Sequence, residues 1–276
     1  LSWRDRIEDF NYGVRFTLAD GQRKVLKYPN ESGDIYSWYN NKLDGTIWGY
    51  TTVGIAQTQE EMDAHLANNK PNWGSNWGAG DIMYADLNGD GEVTSGSKTL
   101  NDHGDLKVIG NSYARYNFGF TVDGSWRGLD FSIFLQGTMK RDYWLDGPYF
   151  WGASGDEWQS ACFTEHLDYW TPEHTNAYYP KPYFGNIKKN QEVQSGYLQN
   201  AAYLRVKNVQ VGYTLPKSWT KKAAMESVRF YVSGDNLLTW TGISSIFDPE
   251  TLGGDWGPGK LYPLQRTLSV GVNVNF

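Results

Sequence analysis

The sequence predicts an all-β protein: part of a transmembrane antiparallel β-barrel carrying long loops. Three observations point there. Long segments alternate apolar and polar residues with period two. The connections between them alternate between short and very long. No apolar run approaches the roughly 18–20 residues that a membrane-spanning helix needs.

The last segment shows the pattern most cleanly. Leu268, Val270, Val272, Val274 and Phe276 point one way, and Thr267, Ser269, Gly271, Asn273 and Asn275 the other. In a soluble sheet the apolar face would be core. In a membrane barrel it would meet lipid, and the small polar face would meet the lumen. Taken in chain order, Leu1–Arg4 reads as the tail of a strand. Tyr12, Val14, Phe16 and Leu18 form the next apolar stripe. Tyr116, Phe118, Phe120 and Val122 follow, then Leu129, Phe131, Ile133 and Leu135, where only Phe134 breaks the alternation. Tyr203 to Tyr213 reads as a strand whose phase slips at Lys207-Asn208, as a bulge would cause. Val228, Phe230 and Val232 complete the set. From this alternation Leu268, Val270, Val272, Val274, Tyr116, Phe118, Phe120, Leu129, Phe131 and Ile133 are expected to face lipid. Arg115, Asp123, Asp130, Arg205 and Arg229 would then face a wet or plugged interior.

The connections at Arg4–Phe10, Asp123–Gly128 and Pro216–Glu226 are short. Those at about 29–111, 140–198 and 239–265 are long and polar. Counted back from the C-terminus, every long connection falls on one side of the sheet and every short one on the other. Outer-membrane barrels keep that parity, and loops this long are otherwise uncommon in compact domains. Six strands and the tail of a seventh cannot close a wide barrel, so the missing strands are expected from further polypeptide. The chain opens on Leu1 without a signal peptide and reads as the C-terminal piece of something longer.

Composition narrows the function. A net charge of -6 gives no support to nucleic-acid binding. The one cysteine, Cys162, forms no internal disulfide, and the four histidines lack ligand spacing. No nucleophile elbow, phosphate loop or dinucleotide fingerprint is present, and the adjacent Asp156 and Glu157 lack the marks of a positioned catalytic pair. An enzyme is not expected. Aromatic residues make up 16%, which suits interfacial girdles or stacking platforms for sugars. The stretch 140–198 is dense in them, from Tyr143 and Trp144 through Trp158 to Phe184. They are read either as a partner or substrate surface or as the loop's own core.

The sharpest local motif is Asp86-Leu-Asn-Gly-Asp-Gly-Glu-Val93, which begins like an EF-hand calcium loop. Asp86, Asn88 and Asp90 would supply side-chain oxygens, Gly91 the turn, and Glu92 its carbonyl. The twelfth position is Ser97 rather than the bidentate glutamate, so the closing carboxylate is expected from Asp102 or Asp105. No flanking helices are evident, so structural calcium pinning the loop 86–105 is the expectation, against an unmetallated Asx/Gly turn.

These pieces, in this order, resemble the C-terminal part of the barrel of SusC/RagA-type TonB-dependent outer-membrane transporters of Bacteroidetes. The matching stretches are 3–20, 54–64, 80–93, 106–137 and 203–216. VRFYVSGDNLLTWTG (228–242), FDPE (247–250) and the ending YPLQRTLSVGVNVNF (262–276) also match. One departure is the insertion SGSKT (95–99), which displaces the Asn101-Asp102 pair from the twelfth position of the loop. The resemblance implies a 22-stranded multi-pass barrel in the cell outer membrane, with the plug and N-terminal regions outside this chain. It implies TonB-powered nutrient uptake of glycans or oligopeptides, with a SusD-like surface lipoprotein as partner. A SusC-like barrel serving as a structural subunit of a larger outer-membrane complex stays open. So does a soluble calcium-stabilised carbohydrate-binding β-domain, against which the loop parity and the terminal Phe276 argue.

Overall fold

The computed structural model describes residues 1–152, 162–183, 185, 188–253, 257 and 259–276. Asp156, Glu157, Trp158 and Phe184 lie outside the described residues. Seven long strands form one antiparallel meander: β1 (Ser2–Ile7), β2 (Phe10–Ala19), β3 (Arg115–Trp126), β4 (Leu129–Lys140), β5 (Gln199–Thr214), β6 (Ser227–Gly242) and β7 (Thr267–Asn275). Each pairs with its sequence neighbour, and the short strand Asp142–Tyr143 adds to β5.

Period-two patterning and register together put all the apolar stripes on one face. Trp3, Val14, Val122, Ile133 and Val209 lie in one row across five strands. Phe10, Trp126, Leu129, Tyr213, Phe230 and Val272 make another across six. Among the described residues this face is largely open: Val270 is 82% exposed and Leu268 73%, while Val228 at the short-turn end is buried. None of the ten residues expected to face lipid is buried. Tyr116 departs from the pattern, since its φ of 56° interrupts the β3–β4 pairing there. The other face carries rows such as Asp123, Ser132, Gln210, Ser233 and Ser269. Phe134 does turn to this polar face. Its ring lies beside Gly119, where a Cβ would sit 3.2 Å from it. The bulge at Lys207 is present: the register slips between Phe134 and Leu135 on β4 and between Val206 and Asn208 on β5.

Two of the short connections are tighter than their sequences suggested, while the third runs 215–226, close to expectation. β1 continues to Ile7, so Arg4–Phe10 is mostly strand and only Glu8-Asp9 turns. β3 and β4 likewise approach until Arg127-Gly128, both with positive φ. That pair of left-handed residues matches the twist of a two-residue hairpin. A Cβ at Gly128 would also stand 2.7 Å from the Thr214 carbonyl, so glycine is required twice over. The long connections run 20–114, 141–198 and 243–266, all leaving the same end of the sheet. The third starts later than expected because β6 continues to Gly242.

The first connection is far from structureless. It holds the strand pairs Thr46–Gly49 with Lys107–Asn111, Thr52–Ile55 with Ile82–Tyr84, and Lys70–Pro71 with Glu92–Val93. It also holds helix α1 (Gln59–Leu66), whose cap Thr58 Oγ1 accepts from the Glu61 N–H and whose Met62 is fully buried. The main buried cluster is built here, above the sheet. Tyr50 and Tyr84 from the first connection pack with Phe150, Trp151, Tyr179 and Tyr197 from the second and with Phe247 and Leu252 from the third. Most aromatics of 140–198 that the structure describes are therefore packing, while Phe163, Tyr169 and Tyr178 remain exposed. The distribution inverts that of a soluble β-protein: the core sits in the loops, and the apolar face of the sheet stays open.

Candidate functional site

Three arrangements at the loop end of the sheet carry chemistry. The first pins the third connection to the polar face of the sheet. Arg205 on β5 is almost fully buried, and its guanidinium is shared by Asp248, Glu250 and Thr239. Nη2 donates to Asp248 Oδ1, Nη1 to Glu250 Oε1 and Nε to Thr239 Oγ1, each at 2.8 Å. Lys207, turned inward by the bulge, donates to the other Glu250 oxygen at 2.8 Å. The planar fork of arginine is suited to two carboxylates at once. Sequence reasoning placed Arg205 correctly on the interior but missed this role. The signal was FDPE at 247–250, whose two acids flank a turn closed by the Thr251 N–H on the Asp248 carbonyl.

The second clamps the first connection to the second. Lys189 Nζ and Asp81 Oδ2 are 2.6 Å apart, with both side chains fully buried. Asp81 also accepts from the Gly78 N–H and from Asn190 Nδ2, and Lys189 also donates to the Asn76 carbonyl. The ammonium stands 4.3 Å from the Tyr183 ring centroid. A buried pair of this kind persists because the remaining hydrogen-bonding capacity is met. Lone charged residues in polar loops gave no sequence signal for it.

The third is the Asp86–Asp105 loop. The Asp86 carboxylate accepts the N–H groups of Asn88, Gly89 and Gly91. These bonds, led by that from Gly91, hold its carboxyl below the usual range. Asn88 Oδ1 accepts from the Asp90 N–H, and Asp90 from the Glu92 N–H. Asp105 is fully buried beside them and accepts from Leu87 and Thr94. Asp102 is engaged elsewhere: its carboxylate takes the Ser97 hydroxyl and N–H, which lowers its pKa. So the structure joins Asp86, Asn88, Asp90, Glu92 and Asp105 in one turn, and ties Asp102 to the 95–99 insertion. The donors are all oxygen and suit a hard cation. Among the described residues, no three His, Cys, Asp or Glu side chains gather as a metal-binding group.

An antiparallel wall with an open apolar exterior, a charged interior and a structured cap at one end defines a class: segments of membrane β-barrels. No family model matches the chain. It is similar to TonB-dependent receptors. It is 26% identical over 298 residues to TonB-dependent receptor P3 of Formosa agariphila, covering 98% of this chain and 27% of that protein. It is 27% identical to TonB-dependent receptor P26 of the same organism, covering 28% of it. With TonB-dependent receptor SusC of Bacteroides thetaiotaomicron it shares 23% over 283 residues. In fold it matches the structure of the RagAB peptide transporter with a TM-score of 0.66 at 20% identity, over 100% of this chain and 28% of that one. Against the RagAB peptide importer in its open-open state the TM-score is 0.67. The chain spans about a quarter of the length of these relatives. Along nearly its whole length it is similar to TonB-dependent receptors, SusC among them, and its fold is like that of the matched RagAB structures.

Proposed function

We propose that this chain is the C-terminal part of the barrel wall and extracellular cap of a SusC-like, TonB-dependent outer-membrane importer. One observation carries the reading. The sheet exposes a continuous apolar face, while the buried core lies in the loops at one end. Lipid would cover that face, with strands of 9 or 10 residues at β7 and β2 matching the roughly 9–11 that a tilted span needs. A soluble carbohydrate-binding domain would leave the face wet, which is why that alternative is set aside. The charged inner face would line a lumen shared with the remainder of the protein. The capped end would meet a SusD-like surface lipoprotein, a reading that the likeness to the RagAB structures supports. Glycans and oligopeptides are both substrates of the proposed type. Structural calcium would sit in the Asp86 turn.

The test uses the full-length protein in its native membrane. Extraction should require detergent, and nutrient uptake should stop when TonB is removed. Release by salt alone would refute the barrel reading. Uptake that persists without TonB would refute the transport reading and leave a structural role in a larger outer-membrane complex.

A further inference from the structure

β6 outruns β7. Its pairing with β7 ends at Asp235 with Thr267, yet β6 continues to Gly242. On its other side β6 pairs with β5 in unbroken register from Leu238 to Thr241, with shifts at Asn236-Leu237 and between Thr241 and Gly242. Residues 236–242 thus form a strand edge with no backbone partner on the β7 side among the described residues. The edge runs roughly 20 Å at about 3.4 Å per residue, and over its regular part, Leu238 to Thr241, alternate residues aim their N–H and C=O groups across it. Proteins usually blunt such an edge with charge or proline. Here the side chains are Asn236, Leu237, Leu238, Thr239, Trp240 and Thr241, none charged.

Beside the edge is a cavity of about 580 Å³, lined by Asn236, Thr239 and Trp240 on one side and Pro263 and Leu264 on the other. Asn236 takes a left-handed φ of 52° and donates from Nδ2 to the Gln265 carbonyl. Its Oδ1 is buried without a hydrogen-bond partner. An orphaned buried acceptor costs about 1–3 kcal/mol, so an incoming donor has a reason to bind there. The segment that could cover the edge is held away from it. The Leu264 N–H bonds to Asp248, which Arg205 anchors in turn.

We propose that this edge is a strand-addition site for an extended oligopeptide, which pairs with residues 236–242 and fills the cavity. Main-chain hydrogen bonds would supply affinity with little dependence on side chains, as in other edge-strand recognition. The site rests on the importer reading and deepens it, favouring peptide over glycan. β6 is longer than a membrane span, so its last residues stand beyond the hydrocarbon, in reach of water-borne peptide.

The test is calorimetry on the full-length protein in detergent. The probe is an acetyl- and amide-capped heptapeptide of alternating threonine and valine. Two analogues carry N-methyl groups on the odd or on the even residues. The expectation is that one methylated set weakens binding at least tenfold while the other leaves it within about twofold, because only alternate N–H groups face β6. Leu264→Trp, which narrows the cavity away from the ladder, should weaken the parent peptide. Equal affinity for both analogues, equal loss in both, no binding of the parent, or its displacement by a neutral oligosaccharide would each overturn the proposal. TonB-dependent uptake in the same strain separates the two claims. If uptake persists while the methylated peptides bind equally, edge capture fails and the importer stands.

Discussion

Replacing Arg205 by Met keeps most of its buried length and removes its charge. Asp248 and Glu250 then lose their shared partner. Their side chains are 9% and 18% exposed, so solvent recovers little of the lost interaction. Lys207 still reaches Glu250, which leaves Asp248 as the uncompensated group. Removing one member of a buried pair costs about 3–5 kcal/mol. The cost falls locally, on the third connection, because the β5–β6 ladder does not depend on the guanidinium. At about 1.4 kcal/mol per tenfold, amide protection at Phe247 and Thr251 should drop by about 100- to 4,000-fold in hydrogen exchange. Those amides bond within the third connection, to the Ser244 and Asp248 carbonyls. Asp248→Asn should cost less, since Arg205 keeps Glu250. Unchanged protection in Arg205→Met, with the strand amides also unchanged, would show that the network does not hold the loop.

Other outcomes follow from the same structure. Val270→Arg, on the open face, should destabilise the barrel in lipid by about 2–4 kcal/mol in urea titration, while Ser269→Arg on the polar face should cost much less. Lys189→Met leaves Asp81 buried and unpaired, so the first and second connections should loosen together by about 3–5 kcal/mol, read by exchange at Ile82 and Asn190. If calcium occupies the Asp86 turn, chelation should lower the melting temperature of the wild type and leave Asp90→Ala unmoved. Asp86 titrates below its ordinary range when folded. Its contribution is therefore complete above that range and is lost as pH falls through the lower folded value, seen as faster exchange at Gly91 in acid.

The strands were legible because their chemistry is periodic. Alternation fixed which of Val122, Ile133 and Val209 share a face, and the phase slip at Lys207 marked a real bulge. Turn lengths were less legible: polar residues such as Asp5 and Ser125 sit in strands whose pairing, not composition, decides where they end. The loop core was hidden for a different reason. Tyr50, Phe150 and Phe247 lie far apart in sequence on irregular backbone, where no period reports burial. The same holds for Lys189 with Asp81, and for the commitment of Asp102 to Ser97. That shared core also changes how the loops are probed: cutting out part of 140–198 would expose Tyr84 and Phe247, so point variants are the sound approach.

The central claim is that the open apolar face meets lipid and the opposite face meets water. Site-directed spin labels test it directly in the full-length protein in native-like bilayers, with Cys162→Ser as background. Labels at Ser269, Val270, Gly271 and Val272 on β7, and at Ser132 and Ile133 on β4, are read for collision with oxygen and with a water-soluble nickel chelate. The account predicts strict alternation, with oxygen dominating at Val270, Val272 and Ile133 and the nickel chelate at Ser269, Gly271 and Ser132. Nickel access at all six positions, or no alternation, would contradict it.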